Sequence, residues 1–205
     1  MRSRLLVAGG PRAPRLVAGA DVAYAKERGR CYAAAVVLSL PDLRLVEEAG
    51  AERAVEFPYV PGLLSFREGP AVLAALGRLH QRPDLIMFDA HGLAHPRRFG
   101  LASHLGYLLD IPSIGCAKSI LIGEHGPLAP EAGSTAWLVD RGERVGAALR
   151  TRPGVRPVYV SPGYRVGFRQ MIRLTMMTLG GLRVPEPTRL ADILVARLKR
   201  EAATA

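Results

Sequence analysis

The segment LIMFDAHGLAHPRRFGLASH, residues 85–104, decides the fold prediction. It begins with an apolar run, Leu85 to Phe88, and such a run bounded by Pro83 and Gly92 is typical of a buried strand. The run ends on a carboxylate, Asp89, whose burial costs free energy unless a metal or another cation receives it. Three of the chain's five histidines lie in the same segment. It therefore indicates either a functional site after a central strand or a polar loop with hydrogen-bonded histidines.

Three strand-like segments precede this one, and short polar turns separate them. They span residues 15–24, 31–40 and 43–54, and the first carries one acid in its interior, Asp21. We therefore expect an antiparallel meander of three strands. Apolar residues at helical spacing then predict a helix that begins near residue 65 and carries Glu68 in its first turn.

The elements after the central strand complete an α/β pattern. Three antiparallel strands, a helix, a parallel strand, a helix and a further parallel strand form the ribonuclease H-like order. We therefore expect a mixed sheet flanked by helices. The predicted elements are a helix at 99–109, a strand at 113–117 ending at Lys118, strands at 135–139, 145–150 and 158–161, a helix at 167–179, and a last helix at 189–200 that Thr188 caps after the break Pro185-Glu186-Pro187.

The ribonuclease H-like order predicts where the acids lie. It makes the first and fourth strands neighbours, so Asp21 and Asp89 should face each other, and Glu68 should reach them from the intervening helix. Three acids brought together repel one another, and divalent cations relieve that repulsion. Mg²⁺ suits them because it takes oxygen ligands and keeps waters for a substrate phosphate, and Mn²⁺ is the expected substitute. In two-metal sites the ions lie about 3.5–4 Å apart, one activating water and the other stabilising the leaving oxygen.

Composition narrows the class of partner. The formal net charge is +10, which favours an anionic partner, nucleic acid ahead of a membrane surface. Nearly all the basic residues are arginines, a bias that a GC-rich genome also produces. The length of 205 residues suits one domain over 1–205, without repeats or a long linker. No apolar run approaches the about 18–20 residues that span a bilayer. The N-terminal apolar run is interrupted by Gly and Pro and does not predict a signal peptide. Two cysteines in apolar segments favour the reducing cytoplasm.

Six segments of the chain resemble the endonuclease V family, the deoxyinosine-specific nucleases of DNA repair. Two are highly specific: PYVPGLLSFRE at 58–68 and DAHGLAHPRR at 89–98. The segments follow the family's order over most of the chain, and the α/β prediction agrees with the resemblance. The other four are AGADV at 18–22, ASH at 102–104, IGCAK at 114–118 and PEPTR at 185–189.

The resemblance implies a reaction and a set of site residues. Family members hydrolyse the second phosphodiester bond 3′ to deoxyinosine and leave a 3′-hydroxyl and a 5′-phosphate. The implied partner is inosine-containing DNA, with no membrane, and we expect a cytoplasmic monomer. The implied residues are Asp21, Glu68 and Asp89 as metal-binding acids, Lys118 and His95 as further catalytic groups, Tyr59, Pro58, Pro61, Gly62, Arg97 and Arg98 as DNA contacts, and Gly62, Leu64, Ala90, Gly92 and Gly115 around the lesion pocket.

Tyr59 is the wedge that the resemblance implies. Two prolines and a glycine stiffen its loop, and a ring held in this way can enter a base stack. Its insertion offsets part of the few kcal/mol needed to unstack and flip a base. The alternative is a loop anchor packed on the core. For His91 and His104 we expect structural hydrogen bonds.

Two departures from the family pattern bear on activity. Ala90 stands where glycine is usual, and its methyl group could narrow the pocket or shift the backbone. Tyr164 and Arg169 stand where a histidine and an acid are usual. If that histidine lies near the metal or handles a proton, tyrosine is a poor replacement because its pKa is about 10 rather than about 6.5. Two alternatives therefore stay open: an attenuated homologue that binds inosine-containing nucleic acid, and an enzyme that prefers inosine in RNA.

Overall fold

The N-terminal meander forms as predicted in the computed structural model, which describes residues 5–204. Its strands are β1 (Leu16–Ala25), β2 (Arg30–Ser39) and β3 (Leu45–Ala54), and a 3-10 turn joins the first two. β2 is buried over nearly its whole length because helices cover both of its faces. The remaining elements are α1 (Leu64–Leu76), β4 (Leu85–Phe88), α2 (Leu101–Leu109), β5 (Ser113–Ala117), β6 (Thr135–Asp140), β7 (Glu143–Leu149), β8 (Val158–Tyr164), α3 (Phe168–Met177) and α4 (Glu186–Thr204).

The strands form one mixed sheet in the order β3-β2-β1-β4-β5-β8-β7-β6. β1 pairs in parallel with β4, and β4 in parallel with β5, whereas the outer strands are antiparallel. The predicted fold class is therefore confirmed, including the adjacency of the first and fourth strands. Within the described residues, no helix combines the length and apolar character needed to cross a membrane.

Alternation along β4 divides the core into two layers. Ile86 and Phe88 pack with α1 and α2 on one face, while Leu85 and Met87 pack with α3 on the other. All four side chains are buried, and full burial of each contributes about 1.5–3 kcal/mol of hydrophobic stabilisation. This packing fixes the strand rigidly, and it places Asp89 directly after the strand's last core residue.

Helix α4 begins earlier than the sequence predicts and packs directly against β1. A Cβ atom at Gly19 would lie 2.0 Å from the carbonyl oxygen of Pro187, so only glycine admits the helix here. The prediction that Thr188 caps the helix is wrong, because the helix starts at Glu186 and the Thr188 hydroxyl donates to the Pro185 carbonyl at 2.9 Å. Proline is tolerated in a first helical turn because its missing N–H has no acceptor there.

Candidate active site

Two carboxylates, Asp21 and Asp89, lie at neighbouring positions where β1 and β4 run side by side. The parallel ladder ends with Ala20 opposite Phe88, and each acid is the next residue on its chain. Burial raises the pKa of Asp21 to about 7, and repulsion from Asp89 adds to the rise. The Val22 N–H donates to Asp21 Oδ1 at 2.8 Å, and this hydrogen bond acts to lower the pKa of Asp21. The register therefore produces the approach of the two acids that the strand order predicts.

Glu68 approaches this pair from α1. Burial raises its pKa to about 7, and the charge of Asp89 contributes to the rise. The Tyr24 hydroxyl donates to Glu68 Oε1 at 3.0 Å and, together with the charge of Arg67, acts in the opposite direction. Glu68 is thus electrostatically coupled to the acids of the sheet edge, although its carboxylate is held by a tyrosine.

Lys118 follows β5 and provides a cation at the same edge. Its Nζ lies 2.5 Å from Asp89 Oδ2, and its side chain is 52% exposed. Burial acts to lower the pKa of Lys118. The hydrogen bond to Asp89 and the charges of Asp192 and Asp21 outweigh burial and leave this pKa raised. The ammonium group is therefore charged at neutral pH and can reach both the acids and solvent.

Asp192 is an acid of this site that sequence reasoning missed. It lies on α4, and its charge raises the pKa of Asp21. With Asp89 and Lys118 it lines a small cavity of about 50 Å³. Its position three residues after the PEPTR segment was a signal. Its relevance depends on the close approach at Gly19, which brings α4 beside Asp21 and which the sequence pattern does not reveal.

The acids suit Mg²⁺ by their chemistry, although they do not form a closed cage. Among residues 5–204, no three His, Cys, Asp or Glu side chains converge in the geometry of a metal site. Asp89 is held by Lys118, and Glu68 is held by Tyr24. Mg²⁺ is commonly bound by one or two carboxylates together with waters and substrate phosphates, so a closed cage is not required. Asp21, Glu68 and Asp89 are the residues that fit such an ion.

A cleft of about 290 Å³ opens beside these acids and is called the Asp89 cleft. One wall comes from residues 55–63 and the start of α1, and the other from the loops after β4 and β5. Gly62, Leu64 and Ala90 line it, so the unusual alanine lies in its wall. Gly92 and Gly115 do not line it. A Cβ at Gly92 would lie 2.2 Å from the Pro162 carbonyl oxygen, and one at Gly115 would lie 2.5 Å from that of Ala90.

His95 joins the two walls of the Asp89 cleft. The ring is buried, and its Nδ1 accepts a hydrogen bond from the Arg97 N–H at 3.2 Å. Burial lowers the pKa of His95, the charge of Arg97 lowers it further, and a bond to the Gly62 backbone opposes the change. Arg97 Nη1 also donates to the Gly62 carbonyl at 2.9 Å. His95 is therefore neutral at pH 7 and is tied to the opposite wall.

The other two histidines of the segment differ from the expectation of structural hydrogen bonds. Burial lowers the pKa of His91 to about 4, and within the described chain its buried Nδ1 has no hydrogen-bond partner. The ring of His104 packs between Phe66 and Phe99, with centroids 5.5 and 5.4 Å away. His91 lines the cleft, whereas His104 is a packing residue.

Tyr59 stands at the mouth of the Asp89 cleft. Residues 55–63, the Tyr59 loop, connect β3 to α1, and the Tyr59 side chain is 69% exposed. Pro58 and Pro61 are exposed on either side of it. The exposed ring excludes the alternative of an anchor packed on the core.

The structure contradicts the prediction that Arg98 contacts DNA. Its side chain is only 7% exposed, with Nε 2.6 Å from Glu143 Oε2 and Nη2 2.7 Å from Asp140 Oδ2. Its Nη1 also donates to the His95 carbonyl at 3.3 Å. Arg98 therefore ties the loop after β4 to the β6–β7 hairpin, while the neighbouring Arg97 is exposed.

Tyr164 lies at the far end of β5 from Lys118, and Arg169 lies on α3. Tyr164 pairs with Ser113, the first residue of β5, whereas Lys118 follows the last residue of that strand. Five residues of strand separate the two ends by about 15 Å. The Tyr164 hydroxyl donates to Asp110 Oδ1 at 2.9 Å, and Arg169 is exposed on α3. The concern that tyrosine replaces a group beside the metal therefore has no support in this geometry.

Comparison with known proteins decides the family. The sequence profile of the endonuclease V family matches residues 2–193. The chain belongs to the endonuclease V family. The curated endonuclease V of Roseiflexus sp. (strain RS-1) is 56% identical over 182 residues, which cover 89% of this chain and 81% of that protein. The endonuclease V crystal structure from Streptomyces avermitilis has a TM-score of 0.95 and 47% identity, covering 98% of this chain and 90% of the other.

A more distant endonuclease V has been solved with nucleic acid. The Ciona intestinalis protein was crystallised with a 24mer DNA containing an inosine followed by a ribo-adenosine. It is 25% identical, with a TM-score of 0.82, covering 98% of this chain and 94% of the other. Membership of the family makes this chain a nuclease, and it confirms the resemblance drawn from the six sequence segments.

Proposed function

We propose that this endonuclease nicks DNA at the second phosphodiester bond 3′ to deoxyinosine, leaving a 3′-hydroxyl and a 5′-phosphate, and acts in DNA repair. The observation that carries the proposal is the Asp89 cleft, which has the exposed Tyr59 at its mouth and Asp89 and Lys118 in its wall. The Ciona relative bound to inosine-containing DNA supports the choice of lesion. We further propose a monomer of one domain that works in the cytoplasm.

The carboxylates prepare the site for a divalent cation, Mg²⁺ by preference, with Mn²⁺ as a substitute. Asp21, Glu68 and Asp89 hold it, with Asp192 as a fourth acid within reach. When bound, the ion activates water and stabilises the leaving oxygen. Lys118 is half exposed and bonded to Asp89, so it can turn toward a phosphate and neutralise part of its charge. His95, neutral and tied to Gly62, keeps the Tyr59 loop in position over the cleft.

The Asp89 cleft takes the flipped hypoxanthine. Its volume, about 290 Å³, suits a single base, and its walls at Gly62, Leu64 and Ala90 offer backbone groups for hydrogen bonds. Tyr59 enters the stack as the base leaves, which offsets part of the few kcal/mol that unstacking costs. Arg97 lies exposed nearby and contacts phosphate, while Pro58 and Pro61 stiffen the loop.

Inosine in RNA is a second candidate substrate, because the DNA bound by the Ciona relative carries a ribo-adenosine directly after the inosine. A ribose at that position shows that the relative accepts a 2′-hydroxyl there. The attenuated homologue loses its motive, because Tyr164 lies at the far end of β5 from Lys118 and Arg169 lies on α3.

The test is strand cleavage of an end-labelled duplex with one deoxyinosine, in Mg²⁺ and in Mn²⁺, beside the same duplex without the lesion and a matched RNA. We expect a nick one nucleotide beyond the inosine. The Asp89→Asn variant should bind the lesion duplex in Ca²⁺ but not cut it in Mg²⁺. Undiminished cutting by this variant would overturn the site, and binding by the wild type without a nick in either metal would select the attenuated homologue.

A further inference from the structure

A second cleft lies on the other side of the Tyr59 loop. It encloses about 440 Å³ and is called the Phe66 cleft. It shares no lining residue with the Asp89 cleft, and the Tyr59 loop contributes Glu56 and Phe57 to it but Tyr59 and Gly62 to the Asp89 cleft. Its lining consists of Cys31, Arg53, Ala54, Glu56, Phe57, Phe66, Arg67, Pro70 and Ala71.

The Phe66 cleft presents an unusual aromatic surface. Of the five Phe, six Tyr and one Trp side chains, all within residues 5–204, the two exposed ones are Tyr59 at 69% and Phe66 at 53%. Tyr59 lies in the loop and Phe66 lies on α1 just after it, one at each cleft. Phe57 lies beside Phe66 with ring centroids 5.8 Å apart, so the exposed ring is backed by a second one. Since folding normally buries such rings, their shared exposure around one loop indicates a surface for a stacking partner.

Charge makes the Phe66 cleft suitable for a nucleotide. Arg53 is exposed at its edge, and Arg67 is fixed beside the rings because its Nη1 donates to the Phe57 carbonyl at 2.9 Å. Glu56 is the acid that lines the cleft, so the two guanidinium groups outnumber it. Proteins that bind unpaired strands combine aromatic platforms with positive charge in this way.

We propose that the Phe66 cleft binds an unstacked nucleotide of the complementary strand, the one opposite the inosine. The proposal rests on the proposed function and adds a second binding site to it. A wedge that separates two strands leaves a base on each side of the Tyr59 loop. The lesion base enters the cleft that carries Asp89 and Lys118, and the partner base stacks on Phe66, where Arg53 lies near its phosphate.

The test compares duplex with single-stranded inosine oligonucleotides, using Phe66→Ala, Phe66→Tyr and the control Leu108→Ala. Leu108 is an exposed apolar residue on α2, 48% accessible, outside both clefts. Base stacking on an aromatic ring changes binding about 5- to 150-fold. For Phe66→Ala we expect the ratio of duplex KM to single-strand KM to rise by about that factor, while Phe66→Tyr and Leu108→Ala keep the wild-type ratio.

A fluorescence measurement places the base directly. With 2-aminopurine opposite the inosine and Ca²⁺ to prevent cutting, the wild-type and Phe66→Ala complexes should differ in fluorescence, because only the wild type holds the base on a ring. Equal KM increases on duplex and single strand would place a nucleotide of the cut strand in the cleft and overturn the proposal. An unchanged KM ratio with equal fluorescence would also overturn it. Failure of the proposed function is a different result, because the wild type would then nick neither substrate.

Discussion

The hydroxyl of Tyr24 donates a hydrogen bond to Oε1 of Glu68 at 3.0 Å. Tyr24 lies on β1, three residues after Asp21, so this bond ties the carboxylate on α1 to the strand that carries another acid of the site. Arg67 covers the tyrosine ring, with Cζ 4.7 Å from the centroid, and also holds the Phe57 carbonyl of the Tyr59 loop. One tyrosine and one arginine thus connect the acids to the wedge.

Replacement of Tyr24 by phenylalanine should weaken metal binding. The ring is kept, but Glu68 loses a donor that orients its carboxylate and favours its charged form. We expect the Mg²⁺ concentration for half-maximal nicking, and the Mn²⁺ dissociation constant from calorimetry without DNA, to rise about three- to tenfold. Tyr107→Phe on α2 is the matched control. Unchanged Mn²⁺ affinity in Tyr24→Phe would show that the bond does not prepare Glu68 for a cation.

In the metal-free protein, Asp21 and Glu68 should contribute less to stability as pH rises from about 4 to about 7. Burial raises the pKa of Asp21 from 3.8 and of Glu68 from 4.5 to about 7 each. Between those values the two folded-state carboxyls retain protons that the unfolded chain releases, so their contribution to the free energy of unfolding falls with rising pH. The double variant Asp21→Asn/Glu68→Gln mimics the protonated forms and cannot lose these protons.

Thermal melts in a chelator at pH 4.5 and pH 8 measure this effect. The double variant should exceed the wild type in Tm at pH 8 and match it closely at pH 4.5. Mg²⁺ should then raise the Tm of the wild type at pH 8 and leave that of the double variant unchanged. A difference in Tm between the two proteins that is independent of pH would contradict the buried-acid explanation.

Two adjacent arginines should behave differently when replaced. Arg98→Ala removes a buried guanidinium and leaves Asp140 and Glu143 without their partner, so we expect a loss of about 2–4 kcal/mol in the free energy of unfolding. A loss near the lower end of this range is expected, because the side chain of Glu143 is half exposed to solvent. Arg97→Ala should leave the Tm nearly unchanged and weaken binding of lesion DNA. Urea unfolding and DNA titration of both variants check this, and equal Tm losses would argue against the assignment of the two roles.

Strand order and acids were predictable because both follow from local pattern. The apolar run before Asp89 and the alternating segments before it define the strands, and the ribonuclease H-like order of these elements makes the first and fourth strands neighbours. Asp21 and Asp89 come together by register alone. Arg98 was not predictable, because an arginine in a basic segment looks the same whether it faces DNA or a hairpin 42 residues later in the chain.

Long-range packing also explains the other differences. Asp192 joins the acids only because Gly19 lets α4 approach β1, and no periodicity reports the distance between a helix and a strand. The sequence predicts a later start for α4 because a proline often interrupts a helix, yet proline is also common in the first helical turn. Gly92 and Gly115 belong to two of the segments that resemble the family, but they serve close backbone contacts and do not line the cleft.

Asp192→Asn should reduce cleavage while preserving lesion binding. The change removes a negative charge beside Asp21 and Lys118 but keeps the side-chain shape. If Asp192 helps to hold the cation, the rate of nicking in Mg²⁺ should fall about 10- to 100-fold, the range seen for groups that support a metal site. Asp110→Asn, on an acid next to Tyr164 at the other end of β5, is the control. Full activity of Asp192→Asn would remove this residue from the site.

Tyr164→His should not increase activity. The tyrosine lies about 15 Å along β5 from Lys118, and its hydroxyl bonds to Asp110 while its ring packs edge-on against Tyr107. Histidine at this position loses the reach to Asp110 and part of the ring contact, so we expect a loss of about 1–2 kcal/mol in the free energy of unfolding. Single-turnover nicking of inosine duplex in Mg²⁺ should keep the wild-type rate. A large gain in that rate would mean that residue 164 acts on the chemistry from a distance, and it would restore the attenuated homologue as the better description of this chain.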